Sequence, residues 1–190
     1  MAWDIERFRA ATAPSSTSEW LTPKHIVDVL GPFDLDPCSP VNRPWPTASL
    51  HYTIEDDGLS KSWHGFTWLN PPYERGSLPR WMARFAEHNN GIALVNARTE
   101  TSWFVKSVWP KALALFFPAG RIVFCRPDGS KALAAGSPSV FVAMGSPARD
   151  RLAHVKLPGQ FISGPFSQEP IKLPTQSAPE VISSPASLTA

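Results

Sequence analysis

Short apolar runs broken by proline, glycine and acidic residues set the pattern of this chain. Runs at Phe33–Asp36, Phe66–Leu69, Ile92–Asn96, Leu113–Phe117, Arg121–Cys125 and Val140–Met144 have the length and the Phe, Val, Leu and Ile content of buried strands. Leu50–Thr53 is a weaker strand candidate. Apolar residues recur at helical spacing in Pro23–Leu30, Leu78–His88 and Ser102–Val108. Pro23 suits the first turn of a helix, with Thr22 as its cap. Alternating strand and helix patterns predict an α/β fold, with a mostly parallel sheet and crossover helices. The short connection Phe117-Pro118-Ala119-Gly120-Arg121 reads as a hairpin turn, so a terminal antiparallel hairpin is expected on that sheet.

The two ends read differently from the middle. Asp4–Ala11 has a short helical pattern, and a Ser/Thr/Pro stretch follows it to Ser18. From Ser163 onward Pro, Ser, Thr and Ala dominate. The expected organisation is a flexible segment over 1–17, one folded domain over 18–162 and a flexible tail over 163–190. Eight tryptophans and 43% hydrophobic residues supply a core for a domain of that size. The two cysteines, Cys38 and Cys125, offer neither a disulfide framework nor a metal cluster, and the five histidines show no metal-ligand spacing. No metal is therefore expected. With no basic-then-apolar leader and no membrane-length apolar stretch, the expectation is a cytoplasmic protein that does not engage a membrane.

Asn70-Pro71-Pro72-Tyr73 is the stretch with the clearest chemistry. Two consecutive prolines cannot continue a sheet ladder, because each lacks an N–H and holds φ near −65°. The strand at Phe66–Leu69 must end at Asn70 in a stiff, extended loop. That loop offers an amide oxygen, free backbone carbonyls and an aromatic ring in one arrangement. An aromatic amine is a poor nucleophile because its lone pair is delocalised into the ring. Acceptance of its two N–H groups by the Asn70 side-chain oxygen and the Pro71 carbonyl draws the nitrogen toward tetrahedral geometry, while Tyr73 stacks on the ring. Acceptors aimed at developing positive charge act like an oxyanion hole with the signs reversed, and in-line placement of the reacting atoms lowers the barrier further. The plainer reading of the same tetrapeptide is a strand-ending turn.

Three further segments accompany it in order. Trp20-Leu21-Thr22-Pro23 opens a helix, Leu35-Asp36-Pro37 ends a strand on an acid, and Asp57-Gly58-Leu59 with Trp63 precedes the strand into Asn70. Together with Ala97-Arg98-Thr99-Glu100-Thr101-Ser102-Trp103-Phe104 and Gly120-Arg121-Ile122-Val123-Phe124, this series resembles the phage-encoded Dam-like family of DNA adenine-N6 methyltransferases. The resemblance runs from about Glu19 to Ala143. It implies a Rossmann-like sheet of the S-adenosylmethionine-dependent type, and methyl transfer from S-adenosylmethionine to the exocyclic N6 of adenine in DNA. Asn70, Pro71, Pro72 and Tyr73 would form the catalytic loop. Trp20, Thr22, Pro23, Asp36, Pro37 and Asp57 would hold the cofactor, with Asp36 at its amino-acid portion and Asp57 at its adenine or ribose. The glycine-rich turn that many methyltransferases carry after the first strand is replaced here by Pro37-Cys38-Ser39-Pro40-Val41-Asn42. From the residues alone, Asp36 also reads as a turn or capping aspartate before proline, and Asp57 as a solvated acid. Other planar acceptors, an RNA base or a protein glutamine, use the same tetrapeptide, and an inactive nucleic-acid-binding relative would keep the fold.

Charge adds to the picture through its distribution. The formal net charge is only +2. Ser18 to Glu74 holds three basic and eight acidic residues, net −5, whereas Arg75 to Arg151 holds eleven basic and four acidic, net +7. An acidic half suits a cationic sulfonium cofactor and a basic half a phosphate backbone. Candidate DNA contacts are Arg75, Arg80 and Arg84 after the catalytic loop, then Arg98, Arg121 and Arg126; a solvated basic surface is the alternative for each. Trp81, Trp103 and Trp109 could stack bases, but at helical spacing they read first as core. A duplex substrate requires the target adenine to be flipped out of the stack to reach Tyr73. Candidate recognition segments are Ser39–Ser49, Arg75–Leu78 and Arg126–Gly136, which leave room for only a short target site.

Overall fold

The computed structural model describes residues 20–74 and 76–166. The helix expected at Asp4–Ala11, the whole of segment 1–17, residues 167–190 of the tail and Arg75 therefore lie outside the described residues. Helix α1 (Lys24–Leu30) leads into β1 (Leu35–Asp36), followed by β2 (Leu50–His51) and β3 (Thr67–Leu69). Helix α2 (Ser77–His88), β4 (Gly91–Asn96) and a π-helical turn at Phe104–Val108 come next. The chain continues through β5 (Ala114–Pro118), β6 (Val123–Cys125), β7 (Lys131–Ala134), β8 (Ser139–Met144), α3 (Ser146–Ala153) and β9 (Gly159–Ser163).

Seven strands form one sheet in the order β2-β1-β3-β4-β8-β5-β9. β2, β1, β3 and β4 pair in parallel. β8 is antiparallel to both its neighbours, so β5 regains the direction of β4, and β9 closes the edge antiparallel to β5. The result is a mixed α/β architecture whose sheet is mostly parallel in strand direction.

The alternation along β4 shows how the layers are made. Ala93 and Val95 join Trp81, Met82 and Phe85 of α2 and Phe104 and Val108 of the π-turn on one face. Ile92 and Leu94 join Ile26, Val27 and Leu30 of α1 and Ala148 and Leu152 of α3 on the other. With both faces covered, β4 is apolar along its whole buried length, as a central strand must be. Trp81, Trp103 and Trp109 pack with the first of these clusters, in agreement with their reading as core.

Three expectations are corrected. β5 and β6 do not form a hairpin on the main sheet: β6 pairs with β7 in a separate two-stranded sheet. The chain leaves the main sheet after Pro118, because Ile122 and Phe124 bury themselves with α1's cluster and the backbone of Cys125 pairs with Leu21. Thr22 does not cap α1; Pro23 occupies the cap position, and the Thr22 hydroxyl has no hydrogen-bond partner among the described residues. The folded body also extends past residue 162, since β9 runs through Ser163 and Phe166 stacks edge-on against Trp109 with centroids 5.5 Å apart. β7, α3 and β9 carry no strong pattern of their own, and α3 is held from outside: Arg151 donates to the Leu30 and Gly31 carbonyls at the end of α1 and lies over the Phe66 ring.

Gly58 is a glycine that the fold around β1 cannot do without. A Cβ at this position would collide with the Pro37 carbonyl. The close approach is locked by the Trp63 indole, which donates to the Gly58 carbonyl at 2.8 Å. Gly58→Ala is expected to lower stability by roughly 2–3 kcal/mol through overpacking, read as a fall in the denaturant midpoint at unchanged m-value.

Candidate active site

β1 and β3 are adjacent and parallel, so their carboxyl ends open onto one side of the sheet, where open α/β sheets bind ligands. A cleft of about 310 Å³ lies there. Its walls include Trp20, Leu21 and Thr22 from the strand-like lead into α1, Asp36 to Pro40 after β1, and Asn70 to Glu74 after β3. Asp57 and Gly58 close a further side. Four segments far apart in sequence thus meet at one site.

Asn70 is held by its nitrogen. Its Nδ2 donates to the Trp20 carbonyl at 2.9 Å, and its Oδ1 is buried with no partner among the described residues. The Asn70 backbone carbonyl accepts a hydrogen bond from the Cys38 Sγ–H at 3.2 Å, tying the loop after β1 to the loop after β3. Burial, then the neighbouring Asp36 charge, raises the Cys38 thiol well above its ordinary range. It is thus a structural donor and a poor nucleophile. Tyr73 is 38% exposed, yet its hydroxyl points inward and donates to the Leu94 carbonyl at 3.3 Å. The buried end of the ring explains why its ionisation is pushed upward, chiefly by desolvation. The ring itself stays open to a planar ligand.

Asp36 is almost fully buried. Its carboxyl accepts the Thr47 hydroxyl and, at 3.2 Å, the Cys38 N–H. Burial raises its pKa to about 6, with Thr47, Cys38 and Arg43 pulling the other way. The Thr47 loop is itself fixed by His51, the β2 partner of Asp36 in register, whose Nε2 accepts the Thr47 and Ala48 N–H groups at 3.2 Å each. A ring nitrogen accepting two donors must be unprotonated, and burial followed by the Arg43 charge lowers the His51 pKa to about 4.

The residues expected to hold a cofactor divide as follows. Trp20, Thr22, Asp36, Pro37 and Asp57 line the cleft, whereas Pro23 is buried at the start of α1 and does not. Asn70, Pro71, Pro72 and Tyr73 all line it. Missing from the sequence reading were Thr47, Cys38 and Glu74, together with Ile54, which is 84% exposed at the cleft. Glu74 simply follows the catalytic loop in the chain, whereas Cys38, Thr47 and Ile54 are brought to the cleft by contacts between segments distant in sequence. The absent glycine-rich turn is compensated in part by Gly58, which lets a later loop close onto Pro37.

The basic candidates are less uniform. Arg80 and Arg98 are exposed, the latter just past the carboxyl end of β4. Arg84 is engaged by the fold: it lies over the Trp63 ring, pairs with Glu87 at 3.5 Å and donates to the Lys61 carbonyl. Arg121 and Arg126 are exposed on the β6–β7 hairpin and donate to carbonyls within it. That hairpin borders the cleft, because Leu21 and Cys125 exchange backbone hydrogen bonds at 2.9 and 2.8 Å. Its tip, Gly129 with φ +83°, packs against Pro44 and Trp45, so two of the expected recognition segments, Ser39–Ser49 and Arg126–Gly136, stand side by side. No group of residues able to hold a metal ion occurs among the described residues, and no described helix is long and apolar enough to cross a membrane.

A mostly parallel sheet with a cleft at its strand ends, lined by a buried carboxyl and a strand-terminal amide, defines an α/β protein with a candidate ligand site there. The sequence matches the model of the DNA N-6-adenine-methyltransferase (Dam) family over residues 9–156, and the chain belongs to that family. It is thus a DNA methyltransferase by family, with adenine specificity carried by the family's name. A search of the curated proteins and of the solved structures gives no match.

Proposed function

We propose that the cleft binds S-adenosylmethionine and that the loop Asn70–Tyr73 presents the N6 amine of a DNA adenine to it. The observation that carries this reading is the Asn70 amide: its nitrogen is tied to Trp20, and its oxygen is buried in the same cleft as Asp36 with no partner among the described residues. A buried acceptor without a donor costs about 1–3 kcal/mol, so a ligand that supplies one is favoured there. Thr22 Oγ1, buried without a partner among the described residues, offers a second such atom, and Asp36 offers a carboxylate to a cationic amine. Thr22 and Asp36 fit the amino-acid end of the cofactor, and the Asn70 oxygen is left for the target amine.

S-adenosylmethionine supplies an electrophilic methyl group. The protein's part is to hold the amine. Asn70 Oδ1 and the Pro71 carbonyl accept its two N–H groups, so the lone pair is freed from the ring and aimed along the line of transfer. With S-adenosylmethionine held by Thr22 and Asp36, the amine fixed by Asn70 and Pro71 would accept the methyl group that the sulfonium gives up and would release one N–H proton to solvent. The ring of Tyr73 stacks on the adenine, which is extruded from the duplex. Exposed Arg80, Arg98, Arg121 and Arg126 serve the phosphate backbone, and Arg75 directly follows the catalytic loop in the chain.

Transfer of labelled methyl from S-adenosylmethionine to DNA lacking adenine methylation, followed by nucleoside analysis, tests the reading directly. Label in N6-methyladenine supports it; label in another base, or cofactor binding without transfer to DNA, overturns it. A second test separates stacking from hydrogen bonding at Tyr73. Tyr73→Phe loses only the bond to Leu94 and is expected to stay within a few-fold of wild-type kcat/KM, whereas Tyr73→Ala loses about 10–100-fold.

A further inference from the structure

We propose that the main-chain carbonyl of Trp20 is a positioning group that admits an amide, and not a carboxylate, at position 70. The inference rests on the proposed role of Asn70 and deepens it. A carbonyl oxygen has no proton to give. Only the nitrogen of the Asn70 side chain can face it, and that leaves Oδ1 turned into the cleft. The orientation is therefore dictated by hydrogen-bond chemistry, and no amide flip satisfies the same contact.

The carbonyl is itself held. Trp20 precedes Leu21, which makes a reciprocal pair of backbone bonds with Cys125 on β6. Antiparallel pairing at that bridge sets Trp20 opposite Arg126, the first residue of the hairpin loop. The β6–β7 hairpin thus braces the group that aims the catalytic amide. A carboxylate at 70 would bring a charged oxygen against the Trp20 carbonyl with no hydrogen between them. Protonation of that carboxyl restores the pattern, because its O–H donates to Trp20 and its other oxygen accepts from the substrate.

Asn70→Asp tests this with two readouts. The first is the ratio of variant to wild-type methyl-transfer rates at saturating S-adenosylmethionine and DNA. It is expected to be low near pH 8 and to rise as pH falls, by at most about tenfold per pH unit, the limit for one proton. The cleft's other titratable groups, Asp36, Cys38, Asp57, Tyr73 and Glu74, and Arg43 beside Asp36, are shared by both proteins and cancel in the ratio. The second readout is the difference in Tm between wild type and variant across the same range, which needs no activity. A carboxyl whose folded pKa is raised contributes stability below its unfolded pKa and loses it as pH rises, so the Tm gap must narrow on acidification. Asn70→Ala serves as the control and should show a constant gap. A variant that unfolds at neutral pH but regains its Tm in acid supports the proposal just as a narrowing gap does. A pH-independent ratio, or a gap as constant as that of Asn70→Ala, overturns the proposal. Failure of the wild-type protein to methylate DNA would instead count against the proposed function, while the Tm measurement still decides the amide's selection.

Discussion

Asn70→Ala is expected to reduce methyl transfer to DNA by about 10²–10³-fold in kcat while leaving S-adenosylmethionine affinity within a few-fold. The magnitude follows from the loss of one preorganised hydrogen-bond partner at the reacting atom. The side chain's nitrogen bonds only to the Trp20 carbonyl, and its oxygen to nothing among the described residues, so its removal breaks a single internal hydrogen bond. Loss of that bond costs about 1 kcal/mol, partly offset because a buried unpaired oxygen disappears as well. A small shift in Tm with a large fall in kcat is the signature. Single-turnover transfer and calorimetric cofactor binding, measured on the same preparation, separate the two effects. Wild-type kcat in the alanine variant would mean that the Pro71 carbonyl alone activates the amine.

Such a separation of stability from turnover reflects where the sequence was legible. Asn70-Pro71-Pro72-Tyr73 announced a strand end because proline cannot donate, and β3 does stop at Leu69. β4 was readable for the opposite reason: an apolar run with no polar face must be covered on both sides, and it is. Each of these features depends on the residue's own chemistry. The failures depend on partners elsewhere in the chain. Thr22 looked like a helix cap because threonine usually finds the N–H groups of the next turn, but Leu21's pairing with Cys125 sets the chain's entry and Pro23 takes the cap position. The expected hairpin at Phe117–Arg121 failed because β8, from later in the chain, inserts beside β5 and the Ile122 and Phe124 side chains are drawn to α1. Thr47 was legible only as one residue of a candidate recognition segment; its place at the site comes from its hydroxyl bond to Asp36.

Asp36 separates stability from binding in the opposite sense to ordinary core residues, and Asp36→Asn should show it. The folded pKa of about 6 lies above the ordinary aspartate value of 3.8, because burial disfavours the carboxylate more than Thr47, Cys38 and Arg43 favour it. A group with a raised folded pKa contributes its stability below the unfolded pKa and loses it as pH rises through the folded one. At neutral pH the ligand-free protein therefore carries a buried charge at a cost on the order of 3 kcal/mol. Asparagine keeps the shape and an acceptor for Thr47 or Cys38 without the charge. The ligand-free variant is expected to melt higher than wild type near pH 7.5, and the two curves should converge as pH falls toward about 4. His51, with its lowered pKa of about 4, loses stability over that same acid range, but equally in both proteins, so the difference isolates Asp36. Binding should move the other way. An ionised Asp36 facing a cationic amine is the partner of a buried charge pair, and its neutralisation is expected to weaken S-adenosylmethionine by roughly 30-fold or more. Wild-type affinity should likewise weaken as pH drops through about 6, while that of Asp36→Asn should stay flat, since the ligand's amine remains charged throughout. Calorimetric titration at several pH values measures both. A variant that binds as tightly as wild type would remove Asp36 from the cofactor site, and one that melts lower would show that its carboxylate is compensated in the fold by more than Thr47, Cys38 and Arg43.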